Sequence, residues 1–297
     1  MTRVSSTLCL LLFAATTTFA QSSAPASAAK KPASAAKATA ATSDFVSFEM
    51  MTQREVYQAI HDQGKTIALI YNGSTEQRGP VNVNGGHTFM ARETVKAFAR
   101  KLGNAIPAPV LPFAPGEADP NLPGSIGITP ATFAAVNEEI TEQLIKDGFK
   151  TVVLMGDHGG GQKELKQVAE RLEPKYAPQG IHVYYAGETY AKAQPDFLQW
   201  LKDHKYPESL HAGIMDTSEM LYLGGDKGWT RKELLATAVG DPLPKPGEKP
   251  VKKINNGIQG DARPSTPALG KRIFDMKVDY AVAEIKRLMA NTKTSSQ

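Results

Sequence analysis

Residues 151–161 read Thr151-Val152-Val153-Leu154-Met155-Gly156-Asp157-His158-Gly159-Gly160-Gly161. The first five are apolar or β-branched without alternation, as a strand buried on both faces requires, and the glycines that follow mark a turn out of the sheet. Three further runs have the same character: Thr66 to Tyr71 (TIALIY), Ala108 to Phe113, and Ile181 to Tyr185. Helical patterns lie between them. Thr129 predicts an N-cap, with Pro130 at the first position, Phe133, Val136, Ile140 and Leu144 along one face, and Gly148 as the stop. A second helix is predicted from about Pro267 to Met289, with Phe274, Val278, Ala281, Ile285 and Leu288 in one stripe. Strand and helix in alternation predict an α/β fold with a mainly parallel sheet covered on both sides. Ligands of such sheets bind beyond the carboxyl ends of the strands.

The chain has 297 residues, 41% of them hydrophobic and 22% charged, a globular composition that excludes collagen-like, coiled-coil and wholly disordered proteins. Its single cysteine, Cys9, rules out an intrachain disulfide or a Cys-rich zinc site. The formal charge of +4 comes from Arg3, Lys30, Lys31 and Lys37, since residues 1–43 contain no acid and the rest of the chain is balanced. No nucleic-acid partner is predicted from so neutral a body. Arg3, the apolar run from Leu8 to Ala15 and the small-residue junction at Thr18-Phe19-Ala20 have the order of a secretory signal peptide over residues 1–20. Residues 21–43, rich in Ala, Ser, Lys and Pro, read as a flexible tether, and 44–297 as one domain. No later stretch reaches the roughly 20 apolar residues of a membrane span. The expectation is a soluble periplasmic or secreted protein.

The strand-end rule directs attention to three segments: Asn72 to Pro80, with His87 opening a helix soon after; Gly156 to Gly161; and His211 to Ser218. Glu76, His87 and His158 are ligand types expected at one end of the sheet. Two imidazoles and a carboxylate with an open position suit catalytic zinc, and equally iron or manganese. Such a cation polarises a carbonyl and makes water nucleophilic near neutral pH, hydrolysing amides without a protein nucleophile. The glycines around His158 have two rival explanations. They could cradle a phosphate, although they match neither the Walker nor the dinucleotide fingerprint, or they could simply permit a tight turn and close helix packing.

The segments GSTEQRGP (73–80), LPGSIGITPATF (122–133), GDHGGG (156–161) and HAGIMDTS (211–218) resemble, in order, the signature blocks of the creatininase family of amidohydrolases. The resemblance implies a three-layer α/β/α sandwich, often assembled into hexamers, with a two-metal site that hydrolyses C–N bonds in cyclic or linear amides. It places Glu76 on the family's first metal-binding glutamate and His158 on the histidine of its N-G-H-G-G-N block. Arg78 stands where the family has a histidine, and His87 where an aspartate bridges both metals. Gly160 and Ile214 occupy the two positions that supply a further acidic ligand. His211 matches the H-A-G histidine near the substrate, and Asp216 the acidic residue before Thr-Ser.

The ligands that are gone belong to the second metal alone, and the set that holds the first survives with the bridging aspartate changed to His87. These departures imply one divalent ion, Zn with Fe or Mn as alternatives, held by Glu76, His87 and His158, with the permanent charge of Arg78 in place of the lost cation. In the mechanism so implied, Arg78 stabilises the oxyanion and His211 carries a proton to the leaving nitrogen. Asp216 orients His211 or a neighbouring loop, or caps a helix, while Asp157 orients a ligand or solvates its loop. His61, His182 and His204 are assigned no function. The expected protein is an exported metal-dependent amidohydrolase of small-molecule amides and a homo-oligomer, a hexamer by resemblance. Two other readings are a non-catalytic descendant binding a small ligand or metal, and a phosphate or carboxylate receptor built on Arg78.

Overall fold

A computed structural model of the chain describes residues 47–245, 247–249 and 253–295. The expected signal peptide and tether lie outside them. After α1 (Gln53–His61), strand β1 (Ile67–Asn72) leads to α2 (Gly86–Leu102), β2 (Ala105–Pro107) and α3 (Pro130–Lys146). Next come β3 (Thr151–Gly156), α4 (Gln162–Tyr176) and β4 (His182–Tyr185). Helices α5 (Glu188–Ala191), α6 (Ala193–Asp203), α7 (Ile214–Gly224) and α8 (Pro267–Ser295) complete the chain. The strands pair in the order β2-β1-β3-β4, every pair parallel, with β1 and β3 in register from Ile67 opposite Thr151 to Asn72 opposite Gly156.

Alternate residues of β1 and β3 feed two cores, as a period of two demands. Ala68, Ile70, Val152 and Leu154 pack with Ile60 of α1, Phe133 of α3 and Leu165 of α4. Ile67, Leu69, Val153 and Met155 pack with Val95 and Phe98 of α2 and with Ala281 and Ile285 of α8. Helices on both faces of a parallel sheet make the expected three layers. Beyond the sheet edge, Phe197 of α6, Ile214 of α7 and Ile273 of α8 form a third cluster. Among the described residues no helix is long and apolar enough to cross a membrane.

Two expectations need correction. The second strand is Ala105–Pro107, not Ala108–Phe113. Pro107, Pro109 and Pro112 lack the N–H that a ladder needs, so regular pairing stops where they begin. The α3 face is also rotated from the apolar stripe: Phe133, Asn137, Thr141 and Leu144 are buried, while Val136 and Ile140 are only half-buried. Asn137 is turned inward because its Oδ1 accepts from the Asn72 side chain at the end of β1, at 2.8 Å. The cap was legible: Thr129 Oγ1 accepts from Thr132 N–H, Pro130 opens the helix, and Gly148 follows it with φ 111°.

Helices α7 and α8 approach closely at Gly270, where an added Cβ would meet the Ser218 carbonyl. Gly to Ala inside a helix ordinarily stabilises by up to about 1 kcal/mol. Gly270→Ala is expected to do the opposite and cost about 1–3 kcal/mol through overpacking, measured by urea unfolding.

Candidate metal centre

The first strand-end loop is pinned on two sides. Gly73 lies so near α2 that a Cβ would meet Thr88 Cα. Past it, the Thr75 carbonyl accepts from Ile126 N–H, and Glu76 N–H donates to the Asn84 carbonyl, both at 3.0 Å. This fixes Glu76 over the ends of β1 and β3. His87 is the second residue of α2, and His158 lies two residues past β3. Glu76, His87 and His158 each offer one ligand atom, all within 4.8 Å of one another.

Glu76 Oε1 is 3.0 Å from His87 Nε2, and Glu76 Oε2 is 3.0 Å from His158 Nε2. A carboxylate oxygen and an imidazole lone pair both accept, so each contact needs a cation between its partners, either a proton or a metal. On its other side His87 Nδ1 lies 2.7 Å from Asp157 Oδ2. That partner fixes the Nδ1–H tautomer and leaves Nε2 facing Glu76. Asp157 Oδ1 accepts from Tyr71 OH at 2.8 Å and from Lys277 Nζ at 2.7 Å. Lys277 also donates to Glu219 Oε2 at 2.7 Å. Arg78 Nη1 pairs with Glu76 Oε1 at 3.3 Å, and Nη2 approaches Asp216 Oδ2 at 2.9 Å without an aligned hydrogen bond.

Two cations, Arg78 and Lys277, thus face four largely buried carboxylates, Glu76, Asp157, Asp216 and Glu219. With all four ionised, two negative charges are left over. Burial penalises such an excess heavily; a proton on Glu219 removes part of it, and a cation at the Glu76 oxygens would offset the rest. The donor set of one carboxylate and two imidazoles fits zinc, iron or manganese.

The titration shifts report the same crowding. Burial pushes the Glu76 carboxyl up, yet the hydrogen bonds from His158 and His87 and the charges of His87 and Arg78 hold it well below the ordinary carboxylate range. Burial and Arg78 act against protonation of His87, but Asp157 and Glu76 outweigh them and raise its pKa. Asp157 is likewise held low against burial, by Lys277 and His87. Glu219 goes the other way: burial, with the nearby Asp157 and Asp216 charges, pushes it up to about 7 against the pull of Lys277. Its Oε1 has no hydrogen-bond partner among the described residues, which suits a carboxyl that keeps its proton.

His211 Nε2 lies 2.8 Å from the Gln77 carbonyl, and its Nδ1 is 3.6 Å from Glu76 Oε1. A neutral ring donating to that carbonyl presents Nδ1 as a base to the centre. Glu76, His87, His158 and His211 line one cavity of about 280 Å³ with Tyr190 and Gln259. Asp216 also borders this cavity, and its Oδ2 accepts from Ala212 N–H at 2.9 Å, holding the His211 loop rather than His211 itself.

Arg78 requires a correction of place. Its side chain is fully buried beneath Glu76 and Asp216, and it does not line the cavity. It has no free face for an oxyanion, and the same burial removes the basis for a receptor of phosphate or carboxylate. The glycine loop has its packing explanation: a Cβ at Gly161 would strike the Phe133 ring, and one at Gly159 the Tyr190 hydroxyl. A phosphate there would face the excess of carboxylates. His182 pairs with Glu173 at 2.8 Å and His204 stacks on Trp200, both outside the centre.

Sequence reasoning passed over Tyr71, Glu219, Tyr190 and Lys277. The last had a signal, because Lys277 falls at four-residue spacing between the buried Ile273 and Ala281 on α8.

The profile of the creatininase family, described as creatinine amidohydrolase, matches residues 49–285. The chain belongs to the creatininase family. A creatinine amidohydrolase crystal structure is 20% identical, with TM-score 0.66 over 82% of this chain and 97% of its own. The structure named "Creatininase Mn" is also 20% identical, with TM-score 0.66 over 82% and 98%. A mutant creatininase of Zn-Zn type is 20% identical, with TM-score 0.63 over 82% and 97%. Likeness at this identity establishes the creatininase fold. No curated protein matches the chain in sequence.

Arg78→Met leaves two carboxylates without their buried cation and is expected to cost about 3–5 kcal/mol in urea unfolding. Glu219 keeps its proton in the folded chain up to about 7, whereas the unfolded chain releases it near the ordinary value of about 4.3. Its contribution is therefore present in full below the lower value and lost as pH rises through the upper one. In chelator-treated protein, the stability difference between wild type and Glu219→Gln should shift against wild type across that window. A difference independent of pH would refute the assignment.

Proposed function

We propose that this creatininase-family chain is an exported hydrolase of a C–N bond in a small cyclic or linear amide, working with one divalent metal ion. The observation that carries the reading is the convergence of Glu76, His87 and His158 on one point of a cavity that His211 also lines. When bound, the cation supplies Lewis-acid polarisation of the amide carbonyl and brings a water's pKa down to near 7. Zn and Mn, which appear in the names of related creatininases, both suit the donors.

The protein's own groups prepare and complete the reaction. Asp157 holds the His87 ring with Nε2 aimed inward, and Arg78 holds Glu76 in place and ionised. Arg78 thus supplies a fixed charge behind the centre, on the residue where the family has a histidine, which supports one cation rather than two. His211 Nδ1 takes the proton released by the attacking water and passes it to the departing nitrogen, while its Nε2–H stays on the Gln77 carbonyl. Tyr190 and Gln259 offer neutral hydrogen-bonding groups to the substrate. Export rests on the sequence of residues 1–20, and assembly into hexamers on the family resemblance.

Metal analysis of protein purified without chelator should find about one Zn, Fe or Mn per chain, lost in Glu76→Ala and His158→Ala. His211→Ala should keep its metal and lose on the order of 10²- to 10⁴-fold in turnover in a screen of lactams, formamides and cyclic ureides. Two ions per chain would refute the mononuclear assignment. A chain that neither carries nor takes up metal would instead favour a non-catalytic binding protein.

A further inference from the structure

The metal cavity shares a wall with a larger one. Leu198 of α6 and Leu210, just ahead of α7, line the cavity that holds Glu76, His87 and His158. The same two leucines line a groove of about 470 Å³ whose other walls include Leu201, Tyr206, Leu243 and Pro244. Leu210 is 46% exposed between the two. The cavities differ in chemistry. One side carries the carboxylates and imidazoles, while the groove is walled mainly by aliphatic, proline and tyrosine side chains, with Lys202 and Glu208 as its charged members. Two other apolar cavities, one beside Phe48 and Ile60 and one beside Leu102 and Met289, share no residue with the metal centre. Adjacency to the reacting point, across these two shared side chains, thus singles out the groove beyond Leu198 and Leu210.

We infer that the substrate is an amide bearing an apolar arm, an alkyl or aryl substituent that passes Leu198 and Leu210 and lies in this groove while the amide carbonyl sits at the metal centre. The inference rests on the amidohydrolase reading and narrows its substrate class. A ligand confined to the first cavity would leave the apolar walls of the second in water. An arm that covers them removes apolar surface of both partners from solvent, which favours the longer substrate. The catalytic end stays polar, and the arm supplies binding without touching the reacting atoms.

Hydroxamates test this without knowledge of the substrate, because the head group seeks a metal and the arm is varied independently. The affinity of the Zn-loaded chain is measured by calorimetry for two series, n-alkyl hydroxamates and N-alkyl formohydroxamates, so that the arm leaves from carbon or from nitrogen. In one of the series, each added methylene is expected to tighten binding roughly three- to fourfold until the groove is filled. Leu243→Glu, remote from the metal ligands, should erase that gain and leave acetohydroxamate binding unchanged. Acetohydroxamate binding with no gain in either series overturns the inference alone, and so does a gain that survives Leu243→Glu. Failure of every hydroxamate to bind the Zn-loaded chain overturns the inference alone, whereas failure of the chain to take up Zn removes the metal centre and, with it, the inference.

Discussion

The carboxylate of Asp157 joins three parts of the fold that the chain supplies far apart. One oxygen accepts from Tyr71 on β1 and from Lys277 on α8, and the other faces His87 at the start of α2. A carboxylate buried this completely is tolerable only if every oxygen is satisfied and its charge is met. Lys277 meets the charge, and the Tyr71 and His87 contacts complete the coordination. The position of one imidazole nitrogen is therefore set by the packing of α8 against the sheet and α7. A shift of that helix would be felt first at His87.

Arg78 plays the corresponding part on the other side. Its guanidinium lies under Glu76 and Asp216, so it braces both the carboxylate that faces the imidazoles and the loop that carries His211. A permanent charge in this place differs from a second metal ion in a definite way. It cannot coordinate water or exchange ligands, and being fully buried it cannot touch the substrate. It can keep Glu76 ionised and still. The candidate ligand atoms are thereby gathered at one point, where the two Glu76 oxygens and two imidazole nitrogens converge.

How much of this was legible follows from sequence distance and from depth. Strands β1 and β3 were readable because burial on both faces leaves an unbroken apolar run, and β4, only half-buried, because its valine and tyrosines favour a strand. The second strand was displaced because the apolar run contains prolines, and hydrophobicity reports burial without reporting whether an N–H is present. Glu76, His87 and His158 could be grouped because a parallel sheet brings its carboxyl-end loops together whatever their separation in the chain. Lys277 lies 120 residues from Asp157, on a helix far in sequence from the strand-end loops, and no periodicity could name its partner. The depth of Arg78 was equally invisible. An arginine beside a metal-ligand glutamate reads as a substrate contact until the fold shows both ends of its guanidinium turned to carboxylates.

The two walls of the metal cavity are under different constraints. The wall built from the ends of β1 and β3 is charged, deeply packed and cross-braced, so nearly any substitution there disturbs the charge balance. The neutral members of the lining, Gln194 and Leu198 of α6, Leu210, Met215 and Gln259, form a second wall that comes from helices and connections outside the sheet. Side chains on that wall can change size and polarity without unpairing a buried ion. Catalytic power and substrate choice are therefore separable in this fold. On the proposed reading, the braced wall would set what a bound cation and His211 could do, and the neutral side chains would set which ligands reach them.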